Sequence, residues 1–407
     1  MKPIPFSPPR IDQKTIDAVT EVLLSGWITT GPKTRELEQR INSYCSAKRT
    51  LCLNSWTNAV ELVLRWYGVG PGDEVIVPAY TYAATANIVL HVGAKPVMVD
   101  VEQGQFTIDM HQIEKHITSN TKVIMPVDIG GMPCDYDFVM QLVSKPEVKE
   151  KFVAANERQQ QLGRILVIAD AAHSFGAIYK NQKVGSQTDV MGFSFHAVKN
   201  LTTAEGGAIT FNLPAPFDND EVWKSINISA LHGQSKDALT KTQAGQWRYD
   251  IVEAGYKCNM TDMQAAIGLV ELDRYDADTL IRRKAICLHY NKRFSSFPWF
   301  TAPTFEHSNA ESCYHLYMLH VNALSEAQRD EVIRLVAELG IALNVHFQPL
   351  PLLSLYKGLG YRMEDYPNAW TQYASEISLP VYYNLSDDDV DRVCDAVIDA
   401  VNKTLQA

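Results

Sequence analysis

A lone lysine, Lys199, closes the stretch Val190-Met-Gly-Phe-Ser-Phe-His-Ala-Val, and the turn Glu205-Gly-Gly follows it. A lysine that enters a closed site and gives up its proton readily can form a Schiff base with a carbonyl. A solvated loop lysine is the ordinary alternative. Asp170 ends a second apolar run, Arg164-Ile-Leu-Val-Ile-Ala, and opens Asp170-Ala-Ala-His173. A carboxylate at the tip of a buried strand needs a cation or a donor. It reads either as a helix N-cap or as the partner of a protonated heterocycle. Ser55-Trp-Thr-Asn begins a third segment. Hydroxyls and backbone N–H groups at a helix start cap the helix, or cradle a phosphate at its positive end.

Pyridoxal phosphate asks for all three features: a lysine for its aldehyde, an acid on its ring nitrogen and a cup for its phosphate. It also takes an aromatic ring to stack on, and Tyr82 in Pro78-Ala-Tyr-Thr-Tyr82 follows a strand-like run. The competing nicotinamide reading is weak. Gly68-Val-Gly70-Pro-Gly-Asp73 has Asp73 where the third fingerprint glycine belongs, and it precedes a strand where the fingerprint follows one.

These residues must be positioned by an α/β sheet. Apolar runs at 74–78, 96–100, 122–127, 164–170, 190–195 and 207–211 read as strands buried on both faces, separated by helical stretches. In such sheets ligands sit at the carboxyl ends of the strands. Residues 54–68 read as a helix with Ala59, Leu62, Val63 and Trp66 on one face and Gly68 as its stop. Residues 145–163 read as a solvated helical extension. Beyond about residue 280 the texture becomes that of a smaller α+β unit, with a strand at 314–321.

The chain has 407 residues, too long for one ordinary core. Its net charge of −10 speaks against a general nucleic-acid surface. No apolar run approaches the roughly 20 residues that span a bilayer, and the N-terminus lacks a signal-peptide core. Seven cysteines without a C-x-x-C pair suit reduced thiols, and no Cys/His spacing suits a metal. The expectation is a cytoplasmic protein that takes no metal and binds neither nucleic acid nor membrane.

The sequence resembles the DegT-type nucleotide-sugar aminotransferases, a pyridoxal-phosphate family of fold type I, over nearly its whole length. The resemblance is carried by Ser25-Gly-Trp-Ile-Thr-Thr-Gly-Pro-Lys33, Ser55-Trp-Thr-Asn, Pro96-Val-Met-Val-Asp100, Asp170-Ala-Ala-His173, Phe193-Ser-Phe-His-Ala-Val-Lys199, Glu205-Gly-Gly and Gly255-Tyr-Lys-Cys-Asn-Met-Thr-Asp262. It looks most like the enzymes forming UDP-4-amino-4-deoxyarabinose and UDP-4-amino-6-deoxy-N-acetylhexosamines.

The resemblance implies a large cofactor-binding α/β domain at 1–275, with an N-terminal arm, and a small α+β domain at 276–407. It implies Lys199 and Asp170 as catalytic, His173 near the cofactor's phenolic oxygen, and Thr57 and Ser194 on the phosphate, beside Ser55 and the amide of Trp56. Tyr82 would stack on the ring. Asn259 would reach the phosphate of the neighbouring subunit, so the homodimer would share its sites. Trp27, Thr30 and His346 would lie near the sugar, and Arg248 is a candidate for the donor carboxylate.

One departure stands out. The family has a small residue where this chain has Trp56, whose ring is expected in the dimer interface or the substrate pocket. Lys199 argues against the relatives that carry histidine there and remove a hydroxyl. The implied reaction is transamination from L-glutamate to a UDP-linked 4-keto-6-deoxy-N-acetylhexosamine for a surface polysaccharide such as lipopolysaccharide. The alternatives are a UDP-4-ketopentose of lipid A modification or a dTDP-linked keto sugar. A non-catalytic regulator that binds the cofactor or a sugar is the reading from another class.

Overall fold

The computed structural model describes residues 2–235, 248–307, 309–322 and 324–406. A seven-stranded sheet runs in the order Arg49–Leu53, Gly207–Phe211, Val190–Ser194, Leu166–Asp170, Thr121–Ile124, Glu74–Pro78, Lys95–Val99. Only Gly207–Phe211 runs antiparallel to its neighbours; the other pairings are parallel.

The strands read as unbroken apolar runs because each serves two cores. Leu166 and Ile168 join one cluster, with the helices Trp56–Tyr67, Ala84–His91 and Asn219–Ser229. Val167 and Ala169 join another, with Pro32–Cys45, Tyr136–Leu142 and Asp262–Asp273. The period of two then places Asp170 with Leu166 and Ile168, Ser194 with Val190, and Gly207 with Ile209. All three side-chain positions fall on the face covered by the helix Trp56–Tyr67.

That helix starts and stops where its end residues dictate. Ser55 caps it through Oγ, accepting from the Asn58 amide at 3.1 Å, and Gly68 ends it at φ 76°. Its buried side chains include Leu62, Val63, Leu64 and Trp66. Each large apolar side chain buried contributes roughly 1.5–3 kcal/mol, against about 1 kcal/mol for a cap. Packing holds the helix, and the cap fixes where it begins.

Two expectations are corrected. The strand Arg49–Leu53 was not among the expected runs. Residues 145–163 form two short helices, Pro146–Lys151 and Glu157–Leu162, and they are not merely solvated. Asn156 Nδ2 and the buried Gln159 Nε2 both donate to the Tyr67 carbonyl at 3.1 Å, and so close the end of the helix Trp56–Tyr67.

A three-stranded antiparallel sheet, Phe300–Thr301, Tyr317–Val321 and Glu376–Leu379, organises the C-terminal part. The helices Leu280–Phe294, Glu326–Glu338 and Asp387–Gln406 pack with it. Ile4 joins this core from the start of the chain: its amide donates to the Gly340 carbonyl at 2.9 Å, and its carbonyl accepts from the Ala342 amide at 2.9 Å.

Candidate active site

A cavity of about 420 Å³ opens at the carboxyl ends of the strands Leu166–Asp170 and Val190–Ser194. Its walls bring together Lys199, Asp170, His173 and Ser194 with Ser55, Trp56, Thr57, Tyr82 and His346. A larger cleft of about 630 Å³, between segments 102–135 and 301–322, contains neither Lys199 nor Asp170. Size alone does not pick the site.

Lys199 sits in a turn five residues past its strand, with its amide donating to the His196 carbonyl at 2.9 Å. Burial lowers its amine to about 8, against the raising effect of Asp170. Asp170 is buried and accepts from Thr85 Oγ1 at 2.8 Å and from the Ala172 amide at 3.2 Å. Burial pushes its carboxyl up to about 7 despite those donors and the charge of Lys199. It is therefore a strand-tip acid and not a helix cap. A buried carboxyl of this kind suits a partner that brings its own N–H⁺.

The start of the helix Trp56–Tyr67 offers backbone donors to the cavity. A helix start leaves its first amides without intrahelical acceptors. Ser55 satisfies Asn58, and Trp56, Thr57 and Ser194 line the same cavity. The neighbouring strand comes very close: a Cβ on Gly207 would lie 2.4 Å from the Trp56 nitrogen and 2.5 Å from the Ser55 carbonyl carbon. The donor set, the cationic lysine and the anion-seeking helix end fit pyridoxal phosphate.

The Trp56 ring corrects the expectation. The residue borders the cavity, but its ring is 4% exposed within the core, against Gly192, and offers no open face to a partner subunit. A Cβ on Gly192 would meet Trp56 Nε1 at 2.6 Å. The price is an indole N–H with no acceptor among the described residues.

His173 Nδ1 accepts from the Gly130 amide at 3.2 Å, so the ring proton sits on Nε2. Burial and Lys199 hold the ring neutral, well below its ordinary value. Sequence reasoning missed His315, whose ring lies 4.4 Å from that of His173 and whose Nδ1 donates to Asn200 Oδ1 at 2.8 Å. It also missed Thr85, Phe6 and Phe347. The strand-like Tyr314-His-Leu-Tyr was the one local signal for His315; the others come from distant segments. Tyr82 lines the cavity but is 63% exposed, its ring 5.6 Å from that of Phe347.

Trp27, Thr30 and Asn259 do not line this cavity. They form a second cluster: Trp27 Nε1 donates to the Thr30 carbonyl at 3.1 Å, Thr30 Oγ1 to the Met260 carbonyl at 2.5 Å, and Asn259 Nδ2 to Thr30 Oγ1 at 2.6 Å. Arg248 is exposed and also lies outside the cavity. Among the described residues no group of His, Cys, Asp and Glu is arranged to hold a metal, and no helix is long and apolar enough to cross a membrane.

Residues 9–398 match the DegT/DnrJ/EryC1/StrS aminotransferase family. The chain belongs to that family. Pyridoxal phosphate is the cofactor of DegT/DnrJ/EryC1/StrS aminotransferases, and the chain has their mostly parallel fold-type-I sheet. The chain is 39% identical over 402 residues to the spore coat polysaccharide biosynthesis protein SpsC of Bacillus subtilis, covering 98% of this chain and 97% of that one. Among solved structures it is similar to a putative sugar aminotransferase from Streptococcus pneumoniae. The PMP form matches with TM-score 0.94 and 47% identity, over 98% of this chain and 100% of that one. The Helicobacter pylori aminotransferase PseC, involved in the biosynthesis of pseudoaminic acid, matches with TM-score 0.84 and 26% identity, over 99% of this chain and 100% of that one.

Proposed function

We propose that the protein transfers the amino group of L-glutamate to the keto carbon of a UDP-linked 4-keto-6-deoxy-N-acetylhexosamine, giving a 4-amino sugar for a surface polysaccharide. The observation that carries it is the convergence of Lys199, Asp170 and the start of the helix Trp56–Tyr67 on one cavity. The names of the relatives, a polysaccharide biosynthesis protein and a sugar aminotransferase, support the substrate class.

Pyridoxal phosphate, when bound, supplies an aldehyde to carry the amino group and a ring to take up electron density. The chain's own residues do the rest. Asp170 holds a proton on the ring nitrogen. The amides of Trp56 and Thr57, with the hydroxyls of Thr57 and Ser194, hold the phosphate. Lys199 would anchor the cofactor and would move the proton at the substrate carbon, because a lowered amine tethered there is a ready base. Tyr82 would cover the ring, His173 would stand by its phenolic oxygen, and His346 would face the sugar; all three line the cavity.

The site is shared in a homodimer, with Asn259, Trp27 and Thr30 serving the partner's cavity. Exposed Leu23, Leu24, Ile28, Ile251, Val252 and Tyr256, which adjoin that cluster along the chain, support a covered face. The division near residue 275 is supported by the C-terminal core, whose buried residues among those described come from 286 onward apart from Ile4; the strand Ala310–Glu311 crosses it to pair with Ile178–Tyr179. Seven buried free thiols suit a reducing cytoplasm.

The test is the visible spectrum of the cofactor-loaded enzyme. L-Glutamate should bleach the band, and one keto sugar from a UDP- and dTDP-linked panel should restore it. A band indifferent to every amino acid and sugar would leave the regulator reading standing.

A further inference from the structure

The strand Glu376–Leu379 runs behind the His346 wall of the cavity. Asn344 pairs with Ser378 in antiparallel register, amide to carbonyl at 3.1 and 2.8 Å, so two residues further on His346 comes level with Glu376. Alternation puts Glu376 and Ser378 on one face of that strand. Both are 0% exposed, and neither lines the cavity. His346 Nδ1 lies 2.9 Å from Ser378 Oγ, which lies 2.5 Å from Glu376 Oε1. Glu376 Oε2 accepts from the His346 amide at 3.0 Å, and Tyr80 donates to the His346 carbonyl at 2.7 Å. Phe6 stacks on the ring at 5.3 Å. The ring is fixed in place; what the chain of hydrogen bonds leaves open is the position of its proton.

We propose that Glu376 and Ser378 act as positioning residues that decide which ring nitrogen of His346 carries the proton, and so whether His346 offers the substrate an acceptor or a donor. The consequence for the sugar rests on the reading of His346 given above; the hydrogen-bond chain does not. Ser378 has one hydrogen to give. With Glu376 ionised, Ser378 donates to Oε1 and accepts from Nδ1–H, and Nε2 is a bare acceptor. With Glu376 protonated, the acid donates to Ser378, Ser378 donates to Nδ1, and Nε2 carries the hydrogen.

Both settings lie within reach of ordinary conditions. Burial pushes Glu376 up to about 8, with the donors Ser378 and the His346 amide and the charge of Arg329 acting the other way. Arg329 comes from the helix Glu326–Glu338 and donates to the carbonyls of Tyr373 and Glu376 at 2.8 and 3.3 Å. Tyr80 faces the pair from the other side as a neutral phenol, pushed well above its ordinary value by burial. Burial and the charge of Lys199 lower His346 itself to about 3, so its ring stays neutral while Glu376 titrates. His173 and His315 are neutral neighbours for the same reason.

The test is nitrogen NMR of the holoenzyme labelled in histidine, with the His346 signals assigned by their absence in His346→Gln. The proton should sit on Nε2 near about pH 6 and on Nδ1 near about pH 10. Ser378→Ala should give a mixture that ignores pH, and Ser378→Thr, which keeps the hydroxyl, should restore the native response. A native ring that holds one tautomer across this range, or a Ser378→Ala ring that responds as the native one does, overturns the proposal. KM for the keto sugar should rise about 2- to 12-fold in Ser378→Ala, the worth of one neutral hydrogen bond, with the glutamate half-reaction unchanged. A scrambled tautomer with an unchanged sugar KM supports the relay and instead removes His346 from the sugar site.

Discussion

Burial moves Asp170 and Lys199 in opposite directions on the pH axis. Asp170 rises from 3.8 to about 7 in the fold, so the folded chain holds that proton more tightly than the unfolded one. Its contribution is fully present below the unfolded value and is lost as pH rises through about 7. Lys199 falls from 10.5 to about 8, so its burial penalty applies below about 8 and is relieved as pH climbs toward 10.5. Urea unfolding of the cofactor-free Asp170→Asn protein should therefore show a smaller loss of stability between pH 4 and 7 than the native protein; parallel curves would mean Asp170 is ionised throughout. Lys199→Ala should lower turnover by at least about 10²- to 10⁴-fold, the range for a lost general base, and should abolish the glutamate-dependent bleaching. A variant that still turned over at a comparable rate would take the lysine out of the chemistry. Both residues were legible because each ends an apolar run and a strand tip is where ligands bind. Thr85 and Phe347 were not: nothing near them in sequence points to Asp170 or His173, and only the closed fold makes them neighbours.

At the scale of elements, the sheet and the helix Trp56–Tyr67 could be read from apolar runs and end residues, most to within a residue or two; the run 122–127 overshoots its strand Thr121–Ile124 by three. The strand Arg49–Leu53 escaped because it runs almost straight into the helix start, with only Asn54 and the cap Ser55 between. Trp56 was misplaced for a different reason. A large ring at the first position of an anion-binding helix suggests a surface role, but the room for it is made by Gly192, far along the chain. The close approach of Gly207 gives a prediction. Gly207→Ala should push the helix start off the strand, costing about 1–3 kcal/mol as overpacking does, and weaken cofactor binding more than it lowers Tm. Calorimetry and cofactor titration would check it, and an alanine variant with native affinity would show that the cup tolerates the shift.

At the scale of the molecule, one chain leaves Asn259 and Lys199 in separate clusters. If the sites are shared, Asn259→Ala and Lys199→Ala homodimers are each impaired, yet mixed subunits that have exchanged regain activity, because one interface then pairs a native Lys199 with a native Asn259. Mixtures no more active than their parts would place Asn259 in a structural role.

The opening residues of the chain tie the C-terminal core directly to the cavity that holds Lys199. Ile4 is buried in the C-terminal core, while two residues on Phe6 leans on His346 and Ser7 Oγ donates to the Val198 carbonyl at 3.3 Å, next to Lys199. This is the geometry of a rivet. Cutting away residues 2–7, or forcing a bulky purification tag against them, would loosen the C-terminal core and the reactive lysine's turn in a single stroke. A recombinant preparation's choice of fusion end is thus a choice about the active site.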